Sequence, residues 1–139
     1  KKKIYKYDLV YGPVIVLRNN IKKIYHPKRF TKFNLYFWTT RTVCHQAMFV
    51  RKNIVGKYSD KYRLKGELNW YFDLVEKVKK YKVIDFPILF YDPNGMGIKK
   101  WKLNMFERVK VVFSKNILMG LLCLPLTFLS LIQFLYKKN

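Results

Sequence analysis

The chain has 139 residues, which is enough for one domain with a buried core. Half of the residues are hydrophobic and 18% are aromatic, and this composition excludes a disordered basic tail. The formal net charge of +21 calls for either a strongly charged surface or a polyanionic neighbour, which could be nucleic acid, an anionic membrane or a phosphorylated substrate; charge alone does not choose among them.

The two cysteines and the N-terminal residues bear on the redox compartment and on whether the chain is a fragment. Cys44 and Cys123 lie far apart in apolar runs without metal-ligand spacing, so we expect neither a disulfide framework nor a metal site but a reduced cytosolic setting. The sequence opens at Lys1 in a lysine run that leads at once into an apolar segment. We therefore interpret the chain as a fragment of a larger protein.

The first half of the chain predicts short strands joined by basic loops. Leu9 to Leu17 is typical of a buried strand, and Gly12-Pro13 within it indicates a bulge or an edge position. A turn follows at residues 18–20, and the lysine-rich Ile21 to Asn34 predicts a loop. Leu35 to Thr42 is aromatic and is expected to lie against the core, and Val43 to Arg51 predicts a short strand.

The second half predicts two helices around one strand. Gly66 to Lys80 is the clearest helix, because apolar residues recur at helical spacing: Leu68, Tyr71, Phe72, Val75 and Val78. Lys82 to Tyr91 predicts a strand that ends in a turn at residues 92–95. Lys99 to Ser114 predicts a basic, amphipathic second helix.

The C-terminal segment from Ile117 to Tyr136 contains twenty residues without a charge. A helix of that length could cross a bilayer core of roughly 30 Å. Gly120 and Pro125 weaken this interpretation. Two alternatives remain open: a helix that contacts a membrane next to the basic segment before it, and a buried C-terminal helix.

Among the acidic residues, Glu67 is the strongest candidate for a catalytic role. The chain has only eight acids, and Glu67 opens the predicted helix among aromatic residues such as Trp70 and Tyr71. A carboxylate in a partly dry pocket can act as a general base. The structural alternative is that Glu67 only stabilises the positive end of the helix dipole.

Four short motifs, in this order, resemble those of family 2 glycosyltransferases with a GT-A fold. Tyr7-Asp8-Leu9-Val10-Tyr11-Gly12 resembles the strand that follows the metal-binding segment of these enzymes. His45-Gln46, with Phe49 and Arg51-Lys52, resembles their HQxxFxR(K/R) strand. Gly66-Glu67-Leu68-Asn69-Trp70 resembles the acidic start of their acceptor-side helix. Asn94-Gly95-Met96-Gly97, with Glu107-Arg108, resembles the glycine-containing loop and acidic-basic pair that come last, so the resemblance covers about residues 5 to 115.

The resemblance implies an α/β fold, a partial GT-A-like (Rossmann-like) fragment with short strands, an amphipathic helix and a C-terminal apolar helix. Residues 1–115 would be the C-terminal part of a glycosyltransferase domain, and residues 116–139 an apolar helix packed on it or associated with a membrane. Glu67 would be the catalytic base, with His45, Gln46, Asn69 and Trp70 binding substrate. Asn69 departs from the family's second acid, and an amide there is limited to hydrogen bonding.

The resemblance also implies a nucleotide-sugar donor, a glycan or lipid-linked acceptor and a place at the cytoplasmic face of the cell membrane. Mg²⁺ or Mn²⁺ would be held by an Asp-x-Asp motif, which this chain lacks. We therefore expect no metal and no turnover from the chain alone. The alternatives are a non-catalytic basic module that binds nucleic acid or an anionic membrane, and a degenerate membrane-associated scaffold.

Overall fold

A computed structural model describes residues 6–18, 21–37, 43–92 and 95–136 of the chain. The strands are β1 (Leu9–Tyr11), β2 (Val14–Arg18), β3 (Ile21–Tyr25), β4 (Met48–Val50), β5 (Tyr81–Val83) and β6 (Leu89–Tyr91). The helices are α1 (Lys32–Phe37), α2 (Gly66–Lys77), α3 (Met96–Lys99), α4 (Trp101–Lys115) and α5 (Ile117–Tyr136). The α/β class predicted from the sequence is confirmed.

The described strands form two small mixed sheets. In the first sheet β1 lies between β4, to which it is antiparallel, and β5, to which it is parallel. In the second sheet β2 lies between β3, its antiparallel hairpin partner, and the parallel β6. β1 is buried along its whole length, whereas every residue of β3 is exposed. β1 therefore belongs to the core, and β3 faces solvent.

Gly12-Pro13 carries the chain from the first sheet to the second. A parallel segment makes the same passage, because the backbone N–H groups of Ile84 and Ile88 donate to the carbonyls of Tyr11 and Pro13, each at 2.9 Å. A Cβ on Gly12 would lie only 2.5 Å from Cγ1 of Ile84, so this close approach requires glycine. The strand predicted over Leu9 to Leu17, interrupted at Gly12-Pro13, and the strand predicted over Lys82 to Tyr91 are therefore each two strands in different sheets.

The core forms around α2. Five residues of this helix are buried: Leu68, Trp70, Tyr71, Phe72 and Leu74. They pack with β1, with Leu35 and Tyr36 of α1 and with Val111 and Val112 of α4. The Tyr11 hydroxyl at the edge of this core accepts the backbone N–H of Phe30 at 3.0 Å and donates to the Lys28 carbonyl at 3.3 Å. The predicted helix over Gly66 to Lys80 is confirmed, although it ends at Lys77.

Two predicted segments differ from the structure. The lysine-rich segment Ile21 to Asn34 is not one loop, because it holds the exposed strand β3 and the beginning of α1. Val43 to Arg51 is a strand only at Met48–Val50, and a single 3-10 turn over His45–Ala47 precedes that strand. Residues 38–42 of the predicted aromatic segment and residues 93–94 of the predicted turn lie outside the described residues.

The predicted C-terminal helices are confirmed as α4 and α5. They are separate because Asn116 adopts an extended conformation, and its side-chain oxygen accepts the Met119 N–H at 2.9 Å. Met119, Gly120, Cys123 and Thr127 lie on the side of α5 that faces the domain, and apolar residues on the other side are exposed. Within the described part of the chain, no helix is long and apolar enough to cross a membrane.

Candidate functional site

The loop that leads into α2 is held by a buried carboxylate from α4. Glu107 accepts the backbone N–H groups of Arg63, Leu64 and Lys65 at 3.0, 2.7 and 3.0 Å. Burial raises the pKa of Glu107, but the three hydrogen bonds outweigh this effect and hold the pKa below its usual value. Glu107 therefore fixes the backbone from which Lys65 and Glu67 project.

Glu67 lies in the first turn of α2, with its side chain about one-third exposed (35%). Its Oε1 is 4.0 Å from Nζ of Lys65. Burial and then the Glu67 carboxylate raise the pKa of Tyr58, and Glu67 adds to the burial that raises the pKa of Cys44. The carboxylate therefore lies at a half-buried edge beside tyrosine and the Cys44 segment, and not out in bulk water.

His45 and Gln46 lie on the 3-10 turn, and both residues are exposed. This turn is tied to α2 because the Tyr71 hydroxyl donates to the Val43 carbonyl at 3.1 Å. Tyr71 follows Glu67 by four residues, so the two side chains share one face of the helix. The structure thus brings the predicted His-Gln segment to the side of α2 that carries Glu67.

Asn69 and Trp70 do not join Glu67 in the way the sequence indicated. Asn69 is two residues along α2 and so projects from a different face. Its Nδ2 donates to Oδ2 of Asp73 at 3.2 Å. Trp70 is buried, and its Nε1 donates to the Val55 carbonyl.

Tyr58 covers Trp70 and presents an open aromatic face in its place. The two rings stack with their centroids 5.1 Å apart and an interplanar angle of 16°. Tyr58 is 51% exposed, whereas Trp70 is 5% exposed. A sugar ring at this edge would therefore meet Tyr58. The exposed ring of Tyr58 could not be identified from the sequence, because Tyr58 lies in a basic loop eight residues before α2.

Two cations of the domain are buried: Lys65, whose Nζ lies 4.0 Å from Glu67, and Arg108 of α4. Lys65 is 9% exposed and Arg108 is 6% exposed. Burial lowers the pKa of Lys65; Glu67 opposes this effect, and the Arg108 charge adds to it. Burial also lowers the pKa of Arg108. The sequence showed Arg108 only as part of a motif, and it contained no signal that this side chain would be buried.

The described residues contain no group of three or more histidine, cysteine or acidic side chains that could hold a metal ion. The expectation that this chain binds no metal stays a prediction.

The start of α2 therefore combines a half-exposed carboxylate with a buried lysine 4.0 Å away, and Tyr58 exposes an aromatic ring stacked on Trp70 of the same helix. No protein-family model, no curated protein and no solved structure matches this chain.

Proposed function

We propose that this chain is the acceptor-binding and catalytic-base part of a glycosyltransferase that moves a sugar from a nucleotide-sugar donor to a glycan or lipid-linked acceptor. The observation that carries the proposal is the position of Glu67. Its carboxylate lies at the start of α2, half-buried and 4.0 Å from Nζ of Lys65, and burial followed by the Glu67 charge raises the pKa of the exposed Tyr58. The four motifs that resemble family 2 glycosyltransferases supply the reaction class.

Glu67 would act as the general base. It would take the proton of an acceptor hydroxyl while that oxygen bonds to the anomeric carbon of the donor sugar, and the nucleotide diphosphate would leave with the electron pair of the broken bond. General-base catalysis of this kind contributes about 10²- to 10⁴-fold to the rate. Tyr58 would hold the acceptor ring, and the exposed His45 and Gln46 lie on the side of α2 where the acceptor would bind.

Donor binding is not assigned to the described residues. A divalent cation such as Mg²⁺ or Mn²⁺ needs converging oxygen ligands, and the described part of the chain offers no such cluster of acids. In the proposed enzyme the cation would neutralise the diphosphate of the donor. The missing Asp-x-Asp motif would supply its ligands from outside this sequence.

The proposed location is the cytoplasmic face of the cell membrane, and α5 supports it. The outward side of this helix exposes a continuous apolar surface: Ile117, Leu118, Leu121, Leu122, Leu124, Phe128, Leu129 and Ile132. The neighbouring α4 exposes Phe106 with Nζ of Lys110 4.5 Å from the centre of its ring. Lysine and aromatic residues beside an apolar helix face suit an anionic lipid surface.

Vesicle binding checks this location. The chain should sediment with phosphatidylglycerol vesicles and much less with phosphatidylcholine vesicles. Equal binding to both, or to neither, would contradict it.

The proposed reaction is tested by Glu67→Gln in a protein that contains this chain together with its donor-binding part. We expect transfer from a panel of radiolabelled UDP-sugars into the membrane lipid and polysaccharide fractions to fall by about 10²-fold or more. Donor binding should remain close to that of the unmodified protein. Glu76→Gln is the matched control, because Glu76 is an exposed glutamate of the same helix. Normal turnover in Glu67→Gln would remove Glu67 from the mechanism.

The alternative, a module that binds nucleic acid, is favoured by exposed lysine-aromatic pairs, one on each face of the second sheet. Nζ of Lys22 lies 5.7 Å from the centre of the Phe90 ring, and Nζ of Lys23 lies 5.7 Å from that of Tyr25. Exposed lysine and aromatic side chains can neutralise phosphates and stack bases. Tight binding of single-stranded RNA with a steep salt dependence, lost when Phe90 and Tyr25 are replaced by alanine, would favour this alternative.

A further inference from the structure

β3 is an open edge of the second sheet. The strand order is β3-β2-β6, so β3 pairs with β2 on one side and with no strand of the described residues on the other. All five of its residues, Ile21 to Tyr25, are exposed. An edge strand of this kind presents a row of backbone N–H and C=O groups to which another chain can add a strand. β3 is therefore a place where the sheet can be extended.

The side chains of β3 are apolar at three of the five positions. Ile21, Ile24 and Tyr25 are 69%, 49% and 45% exposed. Ile24 belongs to a row of apolar side chains on one face of the sheet, because Ile15 of β2 pairs with both Ile24 and Phe90. A strand added beside β3 would extend this row and cover part of Ile24.

Lys22 and Lys23 give this edge its charge. Adjacent residues of a strand point to opposite faces, so the two lysines flank the edge on both sides of the sheet. Their Nζ atoms lie 5.7 Å from the ring centres of Phe90 and Tyr25, and the ion pairs of the described residues include neither lysine. Cation–π attraction is weak at exposed positions, so both ammonium groups can turn toward a carboxylate.

The two lysines decide which kind of chain the edge accepts. A second copy would bring its own lysines against them, and like charges opposite one another destabilise a strand pair. The net charge of +21 adds to this repulsion. RNA would satisfy the charge, but bases stack on aromatic rings, and two of the three exposed apolar residues of β3 are isoleucines. An acidic peptide strand satisfies the lysines and the backbone groups together.

We infer that β3 is a docking edge for an acidic, extended segment of a partner protein, which adds to the second sheet as a fourth strand. Antiparallel pairing is the more stable arrangement, and the order of side chains on β3 then fixes their order on the partner. From N- to C-terminus, the partner would carry two apolar residues opposite Tyr25 and Ile24, two acids opposite Lys23 and Lys22, and an apolar residue opposite Ile21. The docking edge uses none of the residues of the proposed reaction, so it does not rest on the proposed function.

Fluorescence polarisation of a labelled synthetic peptide with this order tests the edge in the full chain. The ionic strength is about 0.15 M, where long-range attraction is screened. The control peptide has the same composition, but its two glutamates occupy the first and last of the five positions and would face Tyr25 and Ile21. We expect the first peptide to bind about tenfold more tightly than the control. Equal affinities, or no binding of either peptide, would overturn the inference.

A charge-reversed chain tests the lysines. In Lys22→Glu/Lys23→Glu, the affinity for the acidic peptide should fall by about tenfold or more, because two cross-strand pairs of opposite charge become pairs of like charge. Lys99→Glu/Lys100→Glu is the matched control, since it makes the same change at two adjacent exposed lysines outside the second sheet. Equal losses in the two chains would show that net charge attracts the peptide, and would overturn the docking edge.

Amide hydrogen exchange in the unmodified chain locates the peptide without any substitution. In an antiparallel pair, every second residue of a strand directs its N–H and C=O to the same neighbour, so alternate amides of β3 should become protected when the peptide binds. Protection of another surface, or of none, would refute the docking edge. Protection of β3 that grows with chain concentration in the absence of peptide would assign the edge to a second copy. Stronger protection by single-stranded RNA than by the peptide would assign it to RNA, and either result would overturn the inference.

Discussion

The charged side chains at the two ends of α2 differ in their exposure and in how closely they are paired. Toward its C-terminus, the acids pair with lysines of neighbouring helices: Asp73 with Lys115 at 2.7 Å and Glu76 with Lys32 at 2.8 Å. At its N-terminus, Lys65 is buried, its Nζ lies 4.0 Å from Oε1 of Glu67, and its backbone N–H donates to Glu107.

The pairs at the C-terminal end are partly or fully exposed and complete in themselves. At the N-terminal end, the charge of Lys65 is buried and its partner Glu67 lies 4.0 Å away. A desolvated charge that is weakly paired opposes folding. The charges at the two ends of α2 therefore differ in their effect on stability: the exposed pairs contribute little, and the buried lysine opposes folding.

The largest effect on stability should come from Glu107, which anchors the loop that precedes α2. Glu107→Ala removes three charge-assisted hydrogen bonds and leaves the N–H groups of Arg63, Leu64 and Lys65 without their acceptor. We expect a loss of about 3 kcal/mol or more in the free energy of unfolding, measured by urea denaturation. Glu76→Ala, at the other end of α2, is the control. A loss below about 1 kcal/mol in Glu107→Ala would show that other groups hold the loop.

Lowering the pH should weaken the same three hydrogen bonds to Glu107. The pKa of Glu107 is held below its ordinary value of 4.5 in the folded chain, so the unfolded chain takes up the proton at a higher pH. The stabilisation is therefore complete above about pH 4.5 and is lost as the pH falls below it. Urea midpoints between pH 6 and pH 3 should fall less steeply for Glu107→Gln than for the unmodified chain. Identical slopes would mean that Asp8 and Glu76, whose pKa values are also lowered, account for the acid loss.

The smallest effect should come from the paired end. Asp73→Asn weakens an ion pair that is partly exposed to solvent, and we expect a loss of only about 0.5 kcal/mol in the free energy of unfolding. A double-mutant cycle with Lys115→Met would measure the coupling. A coupling energy above about 1 kcal/mol would show that this pair stabilises the fold more than a solvent-exposed ion pair does.

The sequence predicted the elements in which apolar periodicity dominates. Leu68 and Phe72 repeat at helical spacing on a helix that is buried against β1 and α4, so α2 was found within three residues of its end. β3 was missed because Ile21 and Ile24 are separated by lysines on a strand with every residue exposed, where composition resembles that of a loop. The interruption at Gly12-Pro13 was visible in these two residues, whereas the break before Leu89 depends on hydrogen bonds to the distant Tyr11 and Pro13, which local patterns do not record.

The candidate site was predicted only in its sequence-local part. Glu67 was identified because its chemistry and its place at a helix start are visible in the residues themselves. Trp70 was expected to offer a flat surface, but Tyr58 covers it and takes that place. Arg108 is 41 residues from Glu67 along the chain, and its burial depends on how α4 packs on the rest of the domain. Long-range packing of this kind leaves no periodic signature.

Glu107 also determines when the loop before α2 can fold during synthesis. The loop of Arg63, Leu64 and Lys65 leaves the ribosome 42 to 44 residues before the side chain that anchors it. Until α4 has emerged and docked, these amides have no carboxylate to bind. Lys65 and Glu67 would therefore reach their final positions late, after β1, β4 and α2 have already been synthesised.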